Sequence, residues 1–445
     1  MFYAGFARLD ITPPLGIPLT GYYRSRYADG VLDPLEINAL AVSDGEKKAV
    51  LLAADLILID EACSTEIREK VAAENGLEKE AVLIHCLHQH TAPHVGKGEC
   101  IPLVDYLKDG AYLDLLYRKF SDAAAIALSD LSEAKISTAS CDTAEPLSFV
   151  RRFRMKDGST RTNPGALNPD VVGPIGEADN SVRLIRFERE GKRDLALVSF
   201  STHQDTISGN KYSADWGGAL RRQGEKRLKN TRFVAISGYQ GDVNHVDIQK
   251  PSPASIEEAY AHCQYMGKVL VDAVEQMWNR TEPVRGSFLW TKTVVKNIPT
   301  NTAGIERAEE CWEIYRKSMN KTLGYKLEFG EKADMGRIGS LPKSPVCQKL
   351  VVSLLGIGSA ALLGVGGEPF TYYAVKAREA ASDLFLMTAC LVNGGEAYFP
   401  TQEAYDEGGY EARTSRMAPA CAKALLDTSA ALLREYSDER QRKGD

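Results

Sequence analysis

The sequence predicts an α/β fold in which a mixed β-sheet core is covered by helices, and two features of the chain predict it. Apolar, β-branched runs alternate with amphipathic stretches, which is the pattern of strands interleaved with helices. Some of these runs are joined by short turns, at Asp44-Gly45 and at Glu190-Gly191, whereas others are separated by a segment of helical length. Hairpins give antiparallel strand pairs and crossover helices give parallel ones, so both kinds of pairing are expected.

The individual elements follow from the period of the apolar residues. The predicted strands are 37–43, 48–55, 81–85, 182–189, 195–200, 232–237, 286–297, 349–357, 360–365 and 384–392. The predicted helices are 61–74, 111–131, 216–229, 255–278, 303–320, 370–382 and 416–435. Two segments show neither period: 151–180 is expected to form a long ordered loop, and 321–348 is irregular and charged. No repeat or linker divides the chain, so a single domain over 1–445 is expected.

Composition narrows the class of protein. The 445 residues are 44% hydrophobic and 26% charged, as in soluble globular proteins. The net charge of −6 gives no basic footprint for nucleic acid or an anionic membrane. No apolar run of membrane-spanning length, signal peptide or cysteine framework is visible, so we expect a cytoplasmic location without stable membrane association. A small-molecule substrate is the expected partner, and a homo-oligomer is compatible with the sequence.

The histidines are concentrated in one place. The chain has seven, and four of them fall within HCLHQHTAPH, residues 85–94. The run AVLIH is typical of a buried strand, and if the chain stays extended beyond it, His88 and His90 project to the same side. Two imidazoles so placed can bind a metal or a substrate. The alternatives are a histidine-rich surface turn or buried histidines that bond to the backbone, as we expect for His85.

Other residues capable of chemistry also follow predicted strands. They are His203, Asp242, Asn244, Glu368 and Tyr398. Ligands of α/β folds bind beyond the carboxyl ends of strands, where loops converge over an apolar core, so one shared site is expected. Two or three imidazoles, a carboxylate and a phenolate form a nitrogen and oxygen ligand set that suits Zn²⁺ best, with Mn²⁺ or Fe²⁺ as runners-up.

Six segments, in this order, resemble the catalytic domain of the neutral ceramidase family and its bacterial relatives of unassigned substrate. Each segment alone is a weak signal, but together they extend over nearly the whole chain. The segments are DITPPLGIPLTGY (10–22), HQHTAP (88–93), STHQDTISGNKYSADWGG (201–218), QGDVN (240–244), GGEPF (366–370) and YFPTQEAYDEGGYEARTS (398–415).

The resemblance implies a set of site residues. The implied zinc ligands are His88, His203, Glu368 and Tyr398. The implied hydrogen-bond donors or proton shuttles at the scissile group are His90 and Tyr410, and Arg151 would hold a substrate oxygen. The family reaction is zinc-assisted hydrolysis of the N-acyl bond of a sphingolipid.

Asn244 departs from the family pattern, because it stands where the family has a serine proposed as nucleophile or substrate-positioning group. An amide cannot be acylated as a serine can, so metal-bound water is expected to attack directly. We also expect no counterpart of the family's immunoglobulin-like C-terminal domain. We therefore predict a zinc-dependent amidase, esterase or lactonase acting on a soluble, polar or sugar-derived substrate.

Alternatives remain for the reaction and for single residues. Two histidines and a carboxylate also serve iron oxygenases and metal-dependent sugar isomerases, and loss of the serine could mark a non-catalytic binding protein. Arg151 and Arg152 could be a solvated basic pair, and Glu368 could stabilise a helix N-terminus. Asp242 is expected to be a turn residue, or to orient a histidine, rather than to be a ligand. His94 could line the mouth of the site, and His245 could replace the missing serine.

Overall fold

A computed structural model describes residues 1–395 and 397–444, and its largest element is a nine-stranded mixed sheet. Its strands are β1 (Phe2–Asp10), β2 (Glu36–Ser43), β3 (Lys48–Ala54), β4 (Val82–Cys86), β5 (Ser132–Asp142), β6 (Ser181–Arg189), β7 (Asp194–Phe200), β8 (Thr231–Ser237) and β9 (Glu282–Pro283). The spatial order is β8-β7-β6-β5-β1-β2-β3-β4, and β9 pairs with β5. The pairs β3/β4 and β7/β8 are parallel, and the other pairs are antiparallel.

A second sheet packs against the first. It consists, in spatial order, of β10 (Leu289–Pro299), β11 (Cys347–Ile357), β12 (Ala360–Val365) and β13 (Phe385–Ala389). The pairs β10/β11 and β11/β12 are antiparallel, and β12/β13 is parallel. The two sheets and their covering helices confirm the predicted mixed α/β class.

Ten α-helices cover the sheets or line their loops in the described residues. They are α1 (Glu61–Asn75), α2 (Gly110–Ser129), α3 (Asp215–Arg227), α4 (Ile256–Met277), α5 (Ala308–Met319), α6 (Phe329–Ser340), α7 (Thr371–Ala380), α8 (Gln402–Glu407), α9 (Tyr410–Thr414) and α10 (Ala420–Arg442). Short 3-10 helices occupy Lys79–Ala81, Ile305–Arg307 and Leu341–Lys343. No helix among the described residues is long and apolar enough to span a bilayer.

Short two- and three-stranded ribbons complete the fold. They pair Pro18–Leu19 with Arg26–Tyr27, Gly30–Val31 with Lys211–Tyr212, Leu58–Ile59 with His94–Val95, Phe149–Val150 with Val243–Asn244, and Glu368–Pro369 with Tyr398–Phe399. A three-stranded ribbon contains Arg152–Met155, Thr160–Thr162 and Val171–Pro174.

Local sequence signals set several helix ends. Asp60 begins α1 because its side chain accepts a hydrogen bond from Cys63 N, and Gly76 ends that helix with a φ of 63°. Ser255 caps α4 in the same way, by accepting from Glu258 N. Such caps satisfy backbone donors that the first helical turn leaves without intrahelical partners.

Several elements of the fold were not predicted from the sequence, among them strands β1 and β5, the ribbon within 151–180 and helix α6. Strand β1 buries small residues, Ala4, Gly5 and Ala7, and therefore lacks a strong apolar signal. The segment 151–180 was expected to be a loop but contains the three-stranded ribbon, where only a few residues are buried. Helix α6 lies within 321–348 and has a capping box at Glu328, although it buries too few residues to give an apolar period.

The core has layers on both faces of the large sheet. Helices α1 and α2 bury side chains such as Ile67 and Phe120 on one face. Helices α3 and α4 bury side chains such as Trp216 and Leu270 on the other, in a core that β12 and β13 also enter. Helices α7 and α10 cover the second sheet.

The two edges of the large sheet approach each other. Strands β4 and β8 stand at opposite ends of the strand order, yet Ser237 N donates to His85 Nε2 at 3.1 Å. The chain after β13 lies between these edges, because Cys390 N donates to Ser237 O at 3.0 Å and Cys86 N donates to Leu391 O at 3.1 Å. The sheet is therefore curled, and loops that follow both edges meet in one place.

Candidate metal centre

Three crossover units bring the candidate ligands together. In each unit a strand, a helix and a parallel strand follow one another: β3-α1-β4, β7-α3-β8 and β12-α7-β13. His88 and His90 follow β4, His203 follows β7, and Glu368 follows β12. The curl of the large sheet brings the ends of β4 and β7 together, and the second sheet places the end of β12 beside them, as the rule for ligand sites in α/β folds predicts.

The ring nitrogens of three histidines converge. One nitrogen from each of His88, His90 and His203 lies within 4.8 Å of the others. The Nε2 atoms of His88 and His90 are 3.3 Å apart. Glu368 Oε2 lies 3.2 Å from His88 Nε2 and 3.0 Å from His203 Nε2. His88, His203 and Glu368 are buried, so this is a compact polar cluster inside the fold.

Backbone carbonyls fix the tautomers of two of these histidines. His88 Nδ1 lies 2.9 Å from Ile57 O, and His203 Nδ1 lies 2.9 Å from Val243 O. A carbonyl can only accept, so both Nδ1 atoms carry a proton, and whenever a ring is neutral its Nε2 turns a lone pair toward Glu368. Lone pairs and a carboxylate oxygen repel one another at this distance unless a cation lies among them. The donor set therefore fits a divalent metal ion.

The electrostatics of the cluster agree with a shared positive charge. Burial lowers the pKa of His203 to about 4, and the neighbouring Arg151 adds to the effect, so the ring is neutral at pH 7 as metal ligation requires. Burial also opposes charge on His88, but the carboxylate of Glu368 outweighs it and raises the pKa of His88. The same contacts hold the pKa of Glu368 well below its usual value against the effect of burial. Glu368 thus attracts a cation at this point.

His90 has a second contact that the sequence analysis did not anticipate. Its Nδ1 lies 3.5 Å from Asp205 Oδ1, and Asp205 also accepts a hydrogen bond from the Tyr22 hydroxyl. The Tyr22 ring packs edge-on against the His90 ring, with centroids 5.4 Å apart. The available signal was the position of Asp205, two residues after His203 in STHQD.

The histidine segment does not stay extended beyond β4, so the condition for placing both imidazoles by strand alternation is not met. Strand β4 ends at Cys86, and His88 has a left-handed φ of 76°. His88 N donates to Leu56 O and His90 N donates to Gln204 O, both at 3.0 Å, so contacts with other loops replace strand pairing. The two imidazoles meet through this turn rather than through the alternation of a strand.

A buried ionic pair, formed by Asp55 and Arg221, contacts the turn through Gln89. Gln89 Nε2, between the two histidines, donates to Asp55 Oδ1 at 2.8 Å. Arg221 Nη1 of α3 donates to the same oxygen at 3.0 Å. Arg221 and Asp55 are both buried, so the histidine segment rests on a charged pair removed from solvent.

Arg151 and Arg152 are buried, so their interpretation as a solvated pair is wrong. Arg151 Nη1 donates to His203 Nε2 at 3.1 Å, which agrees with a lone pair on that nitrogen. Its Nη2 donates to Gly241 O at 2.8 Å, and its Nε lies 2.7 Å from Glu411 Oε1. Arg152 Nη2 donates to Gly408 O at 3.0 Å. Arg151 therefore places a fixed positive charge beside the cluster.

Tyr398 and Tyr410 lie at the same place. Residue Tyr398 pairs with Glu368 in a short parallel ribbon, and its ring centroid is 5.6 Å from that of Tyr410. The Arg151 guanidinium lies 5.3 Å from the Tyr398 ring centroid. Burial raises the pKa of both phenols, so each hydroxyl keeps its proton unless a cation compensates.

A cavity of about 570 Å³, which we name the inner cavity, opens onto the cluster. The predicted site residues along its wall are His88, His90, Glu368, Tyr398 and Tyr410, and His94 lines it as expected. The wall also contains apolar residues such as Ile57 and Trp312, and polar residues such as Thr300 and Gln348.

Two solved structures share this arrangement of chain. A neutral ceramidase from Pseudomonas aeruginosa superposes with a TM-score of 0.72 at 16% identity, over 98% of this chain and 75% of that chain. A ceramidase complexed with C2 superposes with a TM-score of 0.73 at 15% identity, with the same coverage of both chains. The chain has the neutral ceramidase fold. Neither a protein-family model nor a curated protein matches the chain.

The ceramidase fold confirms the likeness that the sequence segments indicated. Asn244, which the sequence resemblance aligns with the family serine, has its amide engaged by neighbours: Nδ2 donates to Asn163 Oδ1 at 2.7 Å, and Oδ1 accepts from Val246 N at 3.0 Å. His245 donates to or accepts from no member of the histidine cluster in the described residues; its Nε2 contacts Asp205 O at 3.0 Å. His85 is a core residue, as expected, with Nδ1 2.7 Å from Cys390 O.

Asp242 lies in a turn, which is one of the two roles predicted for it. Its carboxylate contacts no histidine among the described residues and accepts instead from Thr371 N and Oγ1, at 2.7 and 3.0 Å. The loop of Asp242 still positions the site, because Gly241 N donates to Pro369 O at 2.8 Å. A Cβ atom at Gly241 would lie 2.4 Å from Glu368 O, so only glycine permits this approach.

Proposed function

We propose that the protein is a metal-dependent hydrolase that cleaves an acyl C–N or C–O bond, as in an amide, ester or lactone. The observation that carries the proposal is the pair of Nε2 atoms, on His88 and His203, that face the Glu368 carboxylate beside the inner cavity, which His88 and Glu368 line. The ceramidase fold supports the reaction class, because it is the fold of a hydrolase of acyl bonds.

The proposed ligands are His88, His203 and Glu368, with Tyr398 beside them. Zn²⁺ fits neutral imidazoles and a carboxylate best, and Mn²⁺ or Fe²⁺ accept the same donors. Such an ion, when bound, supplies Lewis acidity that activates water near pH 7 and polarises a carbonyl oxygen. The ligands come from loops of both sheets, in keeping with one catalytic domain over 1–445.

The remaining side chains handle protons and charge. His90 is held with Nδ1 toward Asp205, which leaves Nε2 facing the cluster to take a proton and return it to the leaving group. Tyr410 offers a hydroxyl donor, and Arg151 supplies a fixed positive charge where negative charge develops on the substrate oxygen. One positioned donor of this kind contributes about 10²–10³ in rate.

Asn244 cannot act as a nucleophile in the proposed reaction. An amide forms no acyl intermediate, and its two polar atoms are already bonded to Asn163 and Val246. Hydrolysis would then proceed in one displacement, with no burst of the first product. The inner cavity has a volume of about 570 Å³ and a mixed polar and apolar lining, and we propose that the enzyme acts on a small polar compound in the cytoplasm.

The first test is the identity of the metal in the purified protein, by elemental analysis and anomalous scattering, together with hydrolysis of N-acyl, ester and lactone substrates. We expect about one zinc per chain and hydrolysis that a chelator abolishes and added zinc restores. Iron with oxygen-dependent turnover would overturn the hydrolase proposal. Stoichiometric zinc with no hydrolysis across the panel would favour a binding protein instead.

A further inference from the structure

A second, wider cavity lies next to the inner one. Its volume is about 1280 Å³, and we name it the outer cavity. Its walls come from the N-terminal loop at 22–24, the ribbon at 157–164, the segment 318–332 and the start of α9. Among residues 1–395 and 397–444, only Tyr23 and Tyr410 line both cavities, so these two residues form the boundary between them.

The boundary consists of packed aromatic side chains. The Tyr23 and Tyr410 side chains are hydrogen-bonded to each other. Phe329 packs on both, with ring centroids 4.6 Å from Tyr410 and 5.4 Å from Tyr23. A substrate that crosses this boundary would have one end in each cavity and its middle against the rings.

The outer cavity carries an excess of positive charge. Its lining cations are Arg24, Arg161, Lys321, Lys326, Lys332 and Arg413. Its three acidic residues already have partners in the protein. Asp157 and Glu328 pair with Arg161 at 3.2 and 3.1 Å, and Glu331 caps α6 by accepting from Glu328 N at 3.0 Å.

The five other cations lie within 4.0 Å of no carboxylate in residues 1–395 and 397–444. The whole chain has a net charge of −6, so this cluster is not a reflection of overall composition. Unpaired cations gathered in a concave site raise the local potential and attract anions.

Lys332 is the most informative of these cations. It is half-buried beside the aromatic boundary, and its Nζ donates to Tyr23 O at 3.4 Å. Burial lowers the pKa of this amine, because no neighbouring carboxylate compensates for the lost solvent. An anion bound here would restore the missing partner.

We propose that the outer cavity binds a carboxylate or phosphate group of the substrate, while the acyl bond lies across the Tyr23–Tyr410 boundary at the metal centre. The inference rests on the proposed hydrolase function and names its substrate class: acyl compounds whose leaving portion is anionic. Lys332 and Arg413 flank the boundary and are the specificity-determining residues, since charge-assisted hydrogen bonds to an anion are about twice as strong as neutral ones.

The test compares substrates that differ only in charge. One pair is N-hexanoylglycine and N-hexanoylglycinamide, and a second pair is N-hexanoylethanolamine phosphate and N-hexanoylethanolamine. We expect the anionic member of at least one pair to have a kcat/KM at least tenfold higher, mainly through KM. The pair that shows this preference distinguishes a carboxylate from a phosphate, and equal kcat/KM values in both pairs would overturn the proposal.

Variants assign the preference to the outer cavity. Lys332→Gln with Arg413→Gln should remove the preference for the anion by raising its KM at least tenfold, and should leave the neutral substrate within about twofold. Lys332→Arg should retain the preference. Lys317→Gln with Lys376→Gln removes two surface charges outside both cavities and should change neither substrate. Equal losses for both substrates in the first variant would contradict the assignment.

Calorimetry separates this inference from the hydrolase proposal. N-hexanoylglycine and its amide are titrated into the His203→Ala protein, with and without the Lys332→Gln and Arg413→Gln changes. Tighter binding of the anion that these changes abolish supports the outer cavity even if the native protein hydrolyses nothing. Hydrolysis by the native protein without any such difference in affinity supports the hydrolase and overturns the anion site.

Discussion

The inner and outer cavities differ in how their charged groups are balanced. Around the metal centre, Glu368, Asp205, Arg151 and Arg221 are held by partners within the protein, and the support of the histidine segment is buried. Around the outer cavity, five cations have no carboxylate partner among the described residues. The inner site is organised by partners within the protein, whereas the proposed outer site would be completed only by a bound anion.

This difference predicts which substitutions will lower stability and which will lower affinity for an anion. A preorganised site depends on each buried partner, because an unpaired buried charge or donor is costly. Solvated cations contribute little to stability, but they contribute to affinity when an anion binds. Four substitutions test this difference between the cavities, and they are described in order of decreasing expected effect.

His203→Ala should lower kcat/KM by more than about 10³-fold, because it removes a proposed ligand and the activated water depends on the ion. Metal content after dialysis, together with hydrolysis, checks this prediction. His262→Ala is the matched control. The His262 side chain, on α4, is half-buried, and among the described histidines it contacts the ring of His245. Retention of full zinc and activity by His203→Ala would contradict the ligand set.

Arg221→Met should destabilise the protein by about 3–5 kcal/mol, because it leaves Asp55 charged, buried and without its cation beneath the histidine segment. Denaturant unfolding measures the change. Arg227→Met is the control on the same helix: its ion pairs with Asp272 and Glu275 are partly solvent-exposed, and we expect a loss of at most about 1 kcal/mol. Equal losses in the two variants would show that the inner region is not specially dependent on buried pairs.

Asp205→Asn should lower kcat by about 10–100-fold with little change in KM, because the amide keeps the size of the side chain but loses the charge that orients His90. Steady-state kinetics with parallel zinc analysis checks it. Asp170→Asn, at an exposed position near Lys156, serves as the control. An Asp205→Asn protein with normal kcat would show that His90 needs no carboxylate partner.

Lys326→Gln should change the free energy of unfolding by less than about 0.5 kcal/mol, since the side chain is exposed and forms no ion pair with a described carboxylate. The melting temperature with and without a bound anion measures this. Stabilisation by the anion should be weaker in the variant than in the native protein. A large loss of stability in the variant without any ligand would show that the outer cavity also depends on its charged groups for stability.

Much of the fold was predictable because it depends on short-range patterns. Helix α1 lies within a residue of its predicted bounds, and β12 has the predicted ones, since each has a clear apolar period and a turn signal. Strand β1 and helix α6 were missed because small or weakly buried residues give little periodic signal. Tertiary packing, not propensity, decides such elements.

The sequence by itself determined which side chains follow the ends of apolar strands, and it indicated the ceramidase likeness through ordered segments around His88, His203, Glu368 and Tyr398. Only the tertiary structure decided how they meet. The left-handed turn at His88, the Asp205 contact and the outer cavity depend on loops from distant parts of the chain. His85 and Ser237 are 152 residues apart, yet they join opposite edges of one sheet. Sheet curl is a collective result of strand twist and packing, and no local pattern of residues encodes it.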